Sequence, residues 1–262
     1  MCVLCRVART GIFAVLLSAC AHQSLHSVKP LPPADVFIPT IETMKHSVAP
    51  VVCLDQDGPT ANIREREGTA FFISPSGEFL TAAHVLDEIK THNHPCPVIA
   101  IYLPTASWRP EMPEETVQWF PFHTAACVIE RAQDVAKCPL VEDLSIPRLG
   151  FHFKIQPVQL EFSDQADGTQ VAFTGFPLEA RDPFTSRGGI ATYRGSADTT
   201  QIVLDQTAWP GASGSPVYLS DGRVIGIMLA RGMEQGSGIS IVRPVRWIRP
   251  ILENSRRVSG RK

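Results

Sequence analysis

The run Gly211-Ala212-Ser213-Gly214-Ser215-Pro216 sets a hydroxyl between two glycines. Glycine adopts backbone angles that a Cβ forbids, so such a run lets backbone approach a ligand closely while one side chain is presented to it. If Ser213 attacks a carbonyl, the N–H groups of Gly211 and Ser213 can converge on the oxygen that gains negative charge, forming an oxyanion hole. A serine hydroxyl is a weak nucleophile and needs a base to take its proton. Histidine has the suitable pKa. The chain has eight: His22, His26, His46, His84, His92, His94, His123 and His152. His84 stands apart because it closes Thr81-Ala82-Ala83-His84, where small residues let a strand end pack tightly while the imidazole faces a cleft. For the other seven, a structural role suffices. The base in turn needs an acid on its far nitrogen, which fixes the tautomer and stabilises the imidazolium. Asp134 opens Asp134-Val135-Ala136, whereas Asp143, Asp164 and Asp182 sit in loops without such a context. The plainer reading of Asp134 is a hairpin-turn aspartate.

Short strands must position these residues. The 22 prolines and 18 glycines favour many strands and turns over long helices. β-Branched and aromatic runs predict strands over 49–55, 68–74, 79–86 (passing into a short helix), 97–103 and 116–120. A hairpin over 126–130 and 135–140, turning at Ala132-Gln133, completes about six strands, and a break at 147–150 opens a second half. There, strands are predicted over 158–162, 169–174, 188–193, 201–204, 215–218, 223–229 and 238–242. Val245, Ile248, Ile251 and Leu252 make one apolar face of a terminal helix within 244–254, which Pro250 weakens. The basic tail 255–262 reads as solvated.

Four motifs together resemble the trypsin-like serine proteases. Thr81-Ala82-Ala83-His84 is similar to the family's histidine motif, Asp134-Val135-Ala136 to its aspartate motif, and Gly68-Thr69-Ala70-Phe71 to a strand upstream of the histidine. The longest match, residues 202–216 with Pro210-Gly211-Ala212-Ser213-Gly214, resembles the protease domain of the high-temperature-requirement branch. The resemblance covers residues 45–254. It implies an all-β fold of two six-stranded antiparallel barrels, about 45–146 and 150–243, with the short C-terminal helix. It implies a serine endopeptidase in which His84, Asp134 and Ser213 are catalytic and the Gly211 and Ser213 amides form the oxyanion hole. By the family's layout Thr207 lies at the base of the substrate pocket, with Leu229, Ala230, Arg231 and Gly238 as walls. A hydroxyl rather than a carboxylate at that base disfavours Arg or Lys and favours small or medium apolar residues before the cleaved bond. Three departures are visible: Ser215 stands where the branch has a second glycine, Ala212 where it has Asn or Asp, and the interval from His84 to Asp134 implies an insertion near 105–115. On this reading no peptide-binding PDZ domain is expected after residue 254.

The first 19 residues read as a signal peptide: Arg6 and Arg9 precede an apolar run, 11–17, too short to span a membrane. The run ends in Leu17-Ser18-Ala19-Cys20, which resembles the lipobox of bacterial lipoproteins. The resemblance implies lipidation at Cys20, a lipidated Pro-rich tether over 20–44, and an envelope protein anchored by lipid, with Ala21 favouring the outer membrane and a periplasmic face. A plain secretory signal is the alternative.

Lys and Arg total 24 against 26 Asp and Glu, for a net charge of −2, so nucleic acid is not indicated as a partner. The expected partner is a protein or peptide substrate, and no cofactor or metal is required. Of seven cysteines, Cys53, Cys96, Cys127 and Cys138 remain after the signal and Cys20, an even number for an oxidising compartment. They allow three pairings. The hairpin register sets Cys127 opposite Cys138, and Cys53–Cys96 follows by elimination. Four buried free thiols are the alternative.

Three other functions fit less well. An α/β-hydrolase elbow would need glycine at Ser215 and a histidine after the serine, yet none follows His152. A zinc site at His92, His94 and Cys96 lacks a distant fourth ligand. A protease-like lipoprotein that binds peptides or envelope components without cleaving them is the rival from another class.

Overall fold

A computed structural model describes residues 35–57, 61–91, 96–103, 118–146, 155–196, 199–229 and 238–253. Cys20 and most of the predicted tether, the segment 105–115 and the tail 255–262 lie outside the described residues. So do Ala230, Arg231, His92 and His94.

The unit from Val36 onward holds two antiparallel sheets. The first is built from β1 (Val48–Leu54), β2 (Ile63–Phe72), β3 (Phe79–Ala82), β4 (Val98–Leu103), β5 (Gln118–Pro121), β6 (Val128–Glu130) and β7 (Val135–Cys138). Its order is β5-β4-β1-β2-β3-β7-β6, so β5 and β6 are its edges and it curls without closing. The second comprises β8 (Gln170–Gly175), β9 (Phe184–Arg194), β10 (Gln201–Leu204), β11 (Pro216–Tyr218), β12 (Val224–Met228) and β13 (Ser240–Pro244), closed as a six-stranded barrel. This is the two-barrel architecture anticipated from the sequence, with seven strands and an open seam in its first half.

Proline placement follows the pairing. β1 is buried along its whole length although Pro50 removes a donor from it. The pairing with β4 begins only at Val51, so the missing N–H falls where that side has no strand partner among the described residues. The predicted segment 158–162 contributes a single bridge, Leu160 to Val224.

The first sheet encloses Val51, Phe72, Phe79, Leu86, Ile101 and Phe120. The barrel encloses Phe173, Leu204, Val217, Met228 and Val242. A third cluster lies between them, joining Phe71, Leu80 and Val135 of the first sheet to Ala172, Tyr218 and Ile227 of the barrel. Full burial of each large apolar side chain contributes about 1.5–3 kcal/mol. The two sheets are therefore welded rather than loosely apposed.

One expected boundary moves. Residues 37–44, assigned to the tether, belong to helix α1 (Phe37–Lys45). Phe37, Ile41 and Met44 recur at helical spacing, and Phe37 and Met44 are buried in the cluster between the sheets. Arg187 lies over the Phe37 ring, 4.6 Å from its centroid. Thr40 Oγ1 donates to the Ser220 carbonyl. Proline is tolerated within a first helical turn, which is where Pro39 falls. At the other end, Val245–Ile248 forms a 3-10 turn leading into a helix over 249–253, and Val245, Ile248 and Ile251 join the same cluster.

Candidate active site

Helix α2 (Ala83–Thr91) follows β3 without a break, and His84 is its second residue. Ala82 and Ala83 are buried, and the His84 residue is 3% exposed. β3 pairs with β7, with Ala82 opposite Val135. That register brings Asp134, the last turn residue before β7, level with Ala83, whose N–H donates to the Asp134 carbonyl at 3.1 Å. The carboxylate then grips His84 twice. One oxygen accepts from the His84 backbone N–H at 2.8 Å. The other lies 2.7 Å from the ring nitrogen Nδ1. An ionised carboxylate only accepts, so Nδ1 carries the hydrogen and the lone pair sits on Nε2, the tautomer a general base needs.

Asp134 has φ 55°, in the left-handed region that Asp tolerates better than most residues. The hairpin-turn reading and the acid reading therefore describe the same residue. The turn occupies 131–134, and the register Val128 to Lys137 continues to place Cys127 opposite Cys138. These two form a disulfide across the hairpin, and Cys53–Cys96 forms a second between β1 and a residue two positions before β4. Cys96 is thus engaged with sulfur and has no thiolate to offer a metal.

Ser213 lies in the loop leading to β11 and is 8% exposed. Two contacts bring this loop to the first sheet. Thr69 N–H on β2 donates to the Ser213 carbonyl at 2.8 Å. Gly214 has φ 88°, and a Cβ there would strike the Thr69 carbonyl and crowd Thr81 and Ala82, so the close approach demands glycine. Ser213 is thereby set against the strand end that carries His84. Its Oγ donates to the Leu229 carbonyl at 3.2 Å.

The preceding residues form a turn, with Ala212 N–H donating to the Trp209 carbonyl at 2.9 Å and Gly211 at φ 88°. Proline followed by a positive-φ glycine suits a type II turn. Among the described residues, the amides of Gly211 and Ser213 make no hydrogen bond within the protein. Thr207 is half-buried, Leu229 buried, and Gly238 exposed at φ 74°. Beside Thr207, the Gln206 carbonyl accepts from Ser240 Oγ. The Gln206 side-chain amide is buried without a partner among the described residues.

Two contributors escaped the reading of the sequence. Arg243 on β13 is 5% exposed, and its Nε donates to the Gln133 carbonyl at 2.9 Å. Burial pushes the guanidinium pKa down, while the charge of Asp134 pushes it back up. A charged residue inside the apolar run Ile241-Val242-Arg243-Pro244 is the signal that could have found it. The second is the stretch Phe176-Pro177-Leu178, for which side-chain type offers no cue.

The arrangement can transfer an acyl group: hydroxyl, imidazole and carboxylate in chain order His, Asp, Ser, with two unengaged amides beside the serine. The family model of the trypsin-like peptidase domain matches residues 68–227. A search of curated protein sequences finds no match. Among solved structures, the active form of the Rv3671c protease from M. tuberculosis is similar at 18% identity and TM-score 0.59, covering 85% of this chain and 86% of that one. An inactive form of the same protein, with a serine replaced by alanine, gives 16% identity and TM-score 0.58 over 87% and 95% of the two chains.

Proposed function

This chain belongs to the trypsin-like peptidase domain family and is a serine peptidase, and from that premise we propose that Ser213, His84 and Asp134 form its triad. The double grip of the Asp134 carboxylate on His84 carries the reading. Ser213 turns about its Cα–Cβ bond from the Leu229 carbonyl to His84. Its Oγ attacks the scissile carbonyl carbon as its proton passes to His84 Nε2. The resulting oxyanion is held by the Gly211 and Ser213 amides. Asp134 stabilises the imidazolium, which then protonates the departing amine as the C–N bond breaks. Water repeats the sequence on the acyl-enzyme, releasing the new carboxylate and restoring Ser213.

The substrates in this reading are proteins of the bacterial cell envelope, cut within the chain, with Thr207 at the base of the primary pocket and Leu229 and Gly238 beside it. Within the family, this reading assigns the chain to the high-temperature-requirement branch. Lipidation of Cys20 anchors the enzyme at the outer membrane, facing the periplasm. The motif run 202–216 and the Leu17-Ser18-Ala19-Cys20 box support these assignments. Incubation of the full chain with a fluorophosphonate probe tests the triad. Labelling that vanishes in Ser213→Ala is the expected result. Absence of labelling in the unaltered protein would return the non-cleaving, peptide-binding alternative. Fractionation of cells expressing Cys20→Ala tests the anchor, and a variant still held in membranes would remove it.

A further inference from the structure

Gly211, the first oxyanion donor in the reading above, is gripped on both sides. Before it, the Pro210 carbonyl accepts from the Leu178 N–H at 2.8 Å. After it, the Gly211 carbonyl accepts from Thr69 Oγ1 at 3.0 Å. A trans peptide points its C=O and N–H in opposite directions, so holding the Pro210 oxygen sets where the Gly211 N–H points. The Thr69 hydroxyl also accepts, from the Phe176 N–H at 3.0 Å. Its one proton therefore goes to Gly211 and a lone pair to Phe176. Phe176, Pro177 and Leu178 are consecutive, so one stretch holds the Pro210 carbonyl through Leu178 and braces the Thr69 hydroxyl through Phe176.

The fit leaves no slack. A Cβ on Gly211 would lie 2.6 Å from the Phe176 carbonyl oxygen and 3.2 Å from Pro177 Cα. Thr69 itself is fully buried. Leu178 sits at φ 51° and ψ 40°, a left-handed conformation unusual for leucine, yet its side chain is directed to solvent, 64% exposed. Strain that burial does not explain persists where surrounding structure imposes it, commonly at functional sites. Here it places the Leu178 N–H on the Pro210 carbonyl.

We propose that Thr69 and the backbone of residues 176–178 form a clamp that presets the oxyanion hole, with Thr69 as a positioning residue. Thr69 touches no substrate. It acts by holding the peptide after Gly211 while Leu178 holds the peptide before it, so that the residue between them is fixed and the oxyanion meets a donor already aimed at it. The clamp rests on the peptidase reading of the same site and deepens it.

The test uses full-chain Thr69→Val, which keeps the shape and removes the hydroxyl, and Thr69→Ser, which restores it. Fluorophosphonate titration first counts competent molecules, and an unlabelled wild type overturns the peptidase reading and the clamp with it. With labelling present, Thr69→Val is expected to lower kcat by about ten-fold or more with KM within about two-fold. Affinity for a peptidyl boronate, which forms the anionic tetrahedral adduct, is expected to fall by a similar factor, and Thr69→Ser to recover both. If Thr69→Val does not fold, Thr69→Ala is read the same way. Either variant with wild-type kcat and boronate affinity overturns the clamp. So does a parallel loss of substrate and boronate affinity, the mark of a merely structural role.

Discussion

Arg243 Nε donates to the Gln133 carbonyl at 2.9 Å, a bond from the barrel to the turn of the other sheet that carries Asp134. The guanidinium remains charged despite its burial and lies within the electrostatic reach of Asp134. Replacement by methionine keeps much of the packing volume but removes both the donor and the charge. Arg243→Met is expected to destabilise the fold by about 1–3 kcal/mol and to lower kcat/KM by about ten-fold. Urea unfolding together with steady-state kinetics on titrated enzyme checks both, and unchanged kcat/KM would disconnect Arg243 from the site.

Asp134→Asn replaces an acceptor-only group with an amide that can present a donor to Nδ1. His84 then favours the tautomer with hydrogen on Nε2, which cannot take a proton from Ser213. At neutral pH kcat is expected to fall by about 10⁴-fold, with only small changes in stability. Stopped assays over long times on the purified variant measure it. Loss of less than about ten-fold would remove Asp134 from the mechanism.

Burial pushes the Tyr218 hydroxyl up to about 12, against partial relief from its bond to Thr174. An acid whose pKa is higher in the folded state stabilises the fold below its unfolded value of about 10. That stability is lost as pH rises toward 12, since the unfolded chain releases its proton first. Unfolding free energy is expected to fall between about pH 10 and 12, by up to about 3 kcal/mol from this group. Denaturation series across that window, with Tyr218→Phe flattening the slope, provide the check.

The Cys127–Cys138 disulfide closes the hairpin whose turn ends in Asp134, with the two cysteines separated by 11 positions. Among the described strands β6 is an edge that pairs with β7 alone, so the bridge adds a restraint on this edge strand beyond its ladder. A Cys127→Ser, Cys138→Ser double variant is expected to lose about 2–4 kcal/mol of stability. Its fluorophosphonate labelling should fall before global unfolding as temperature rises. Coincident loss of labelling and fold would mean that the hairpin does not open separately.

Thr207→Asp would place a carboxylate at the base assigned to the primary pocket. Peptide-library cleavage is expected to shift from apolar residues toward Arg and Lys at the position before the cut, by about ten-fold or more. An unaltered profile would move the pocket base elsewhere.

Much of this architecture is legible because β-branched runs separated by turns report strands directly, and the hairpin register follows once the turn is placed. The His84–Asp134 contact is legible for a local reason: His84 closes one short motif and Asp134 opens another, and the strands of the two motifs are neighbours. Helix α1 is hidden because prolines on its flank and at Pro39 mask the spacing of Phe37, Ile41 and Met44. Leu178 is hidden for a deeper reason. Its role lies in a backbone angle imposed by neighbours, and a leucine side chain encodes nothing of it. Thr69 was visible as part of Gly68-Thr69-Ala70-Phe71, but its hydroxyl gains meaning only when the barrel loop arrives beside it.

The weld between the sheets has a further consequence for the life of the chain. His84 and Asp134 belong to one sheet and Ser213 to the other, and the residue that steadies Gly211 reaches across from the first. A chain in which only one sheet has formed carries half of a reaction centre. With the proposed triad, the reaction centre is complete only when both sheets have formed and docked, so a half-folded molecule cannot cut its own loose segments or its neighbours.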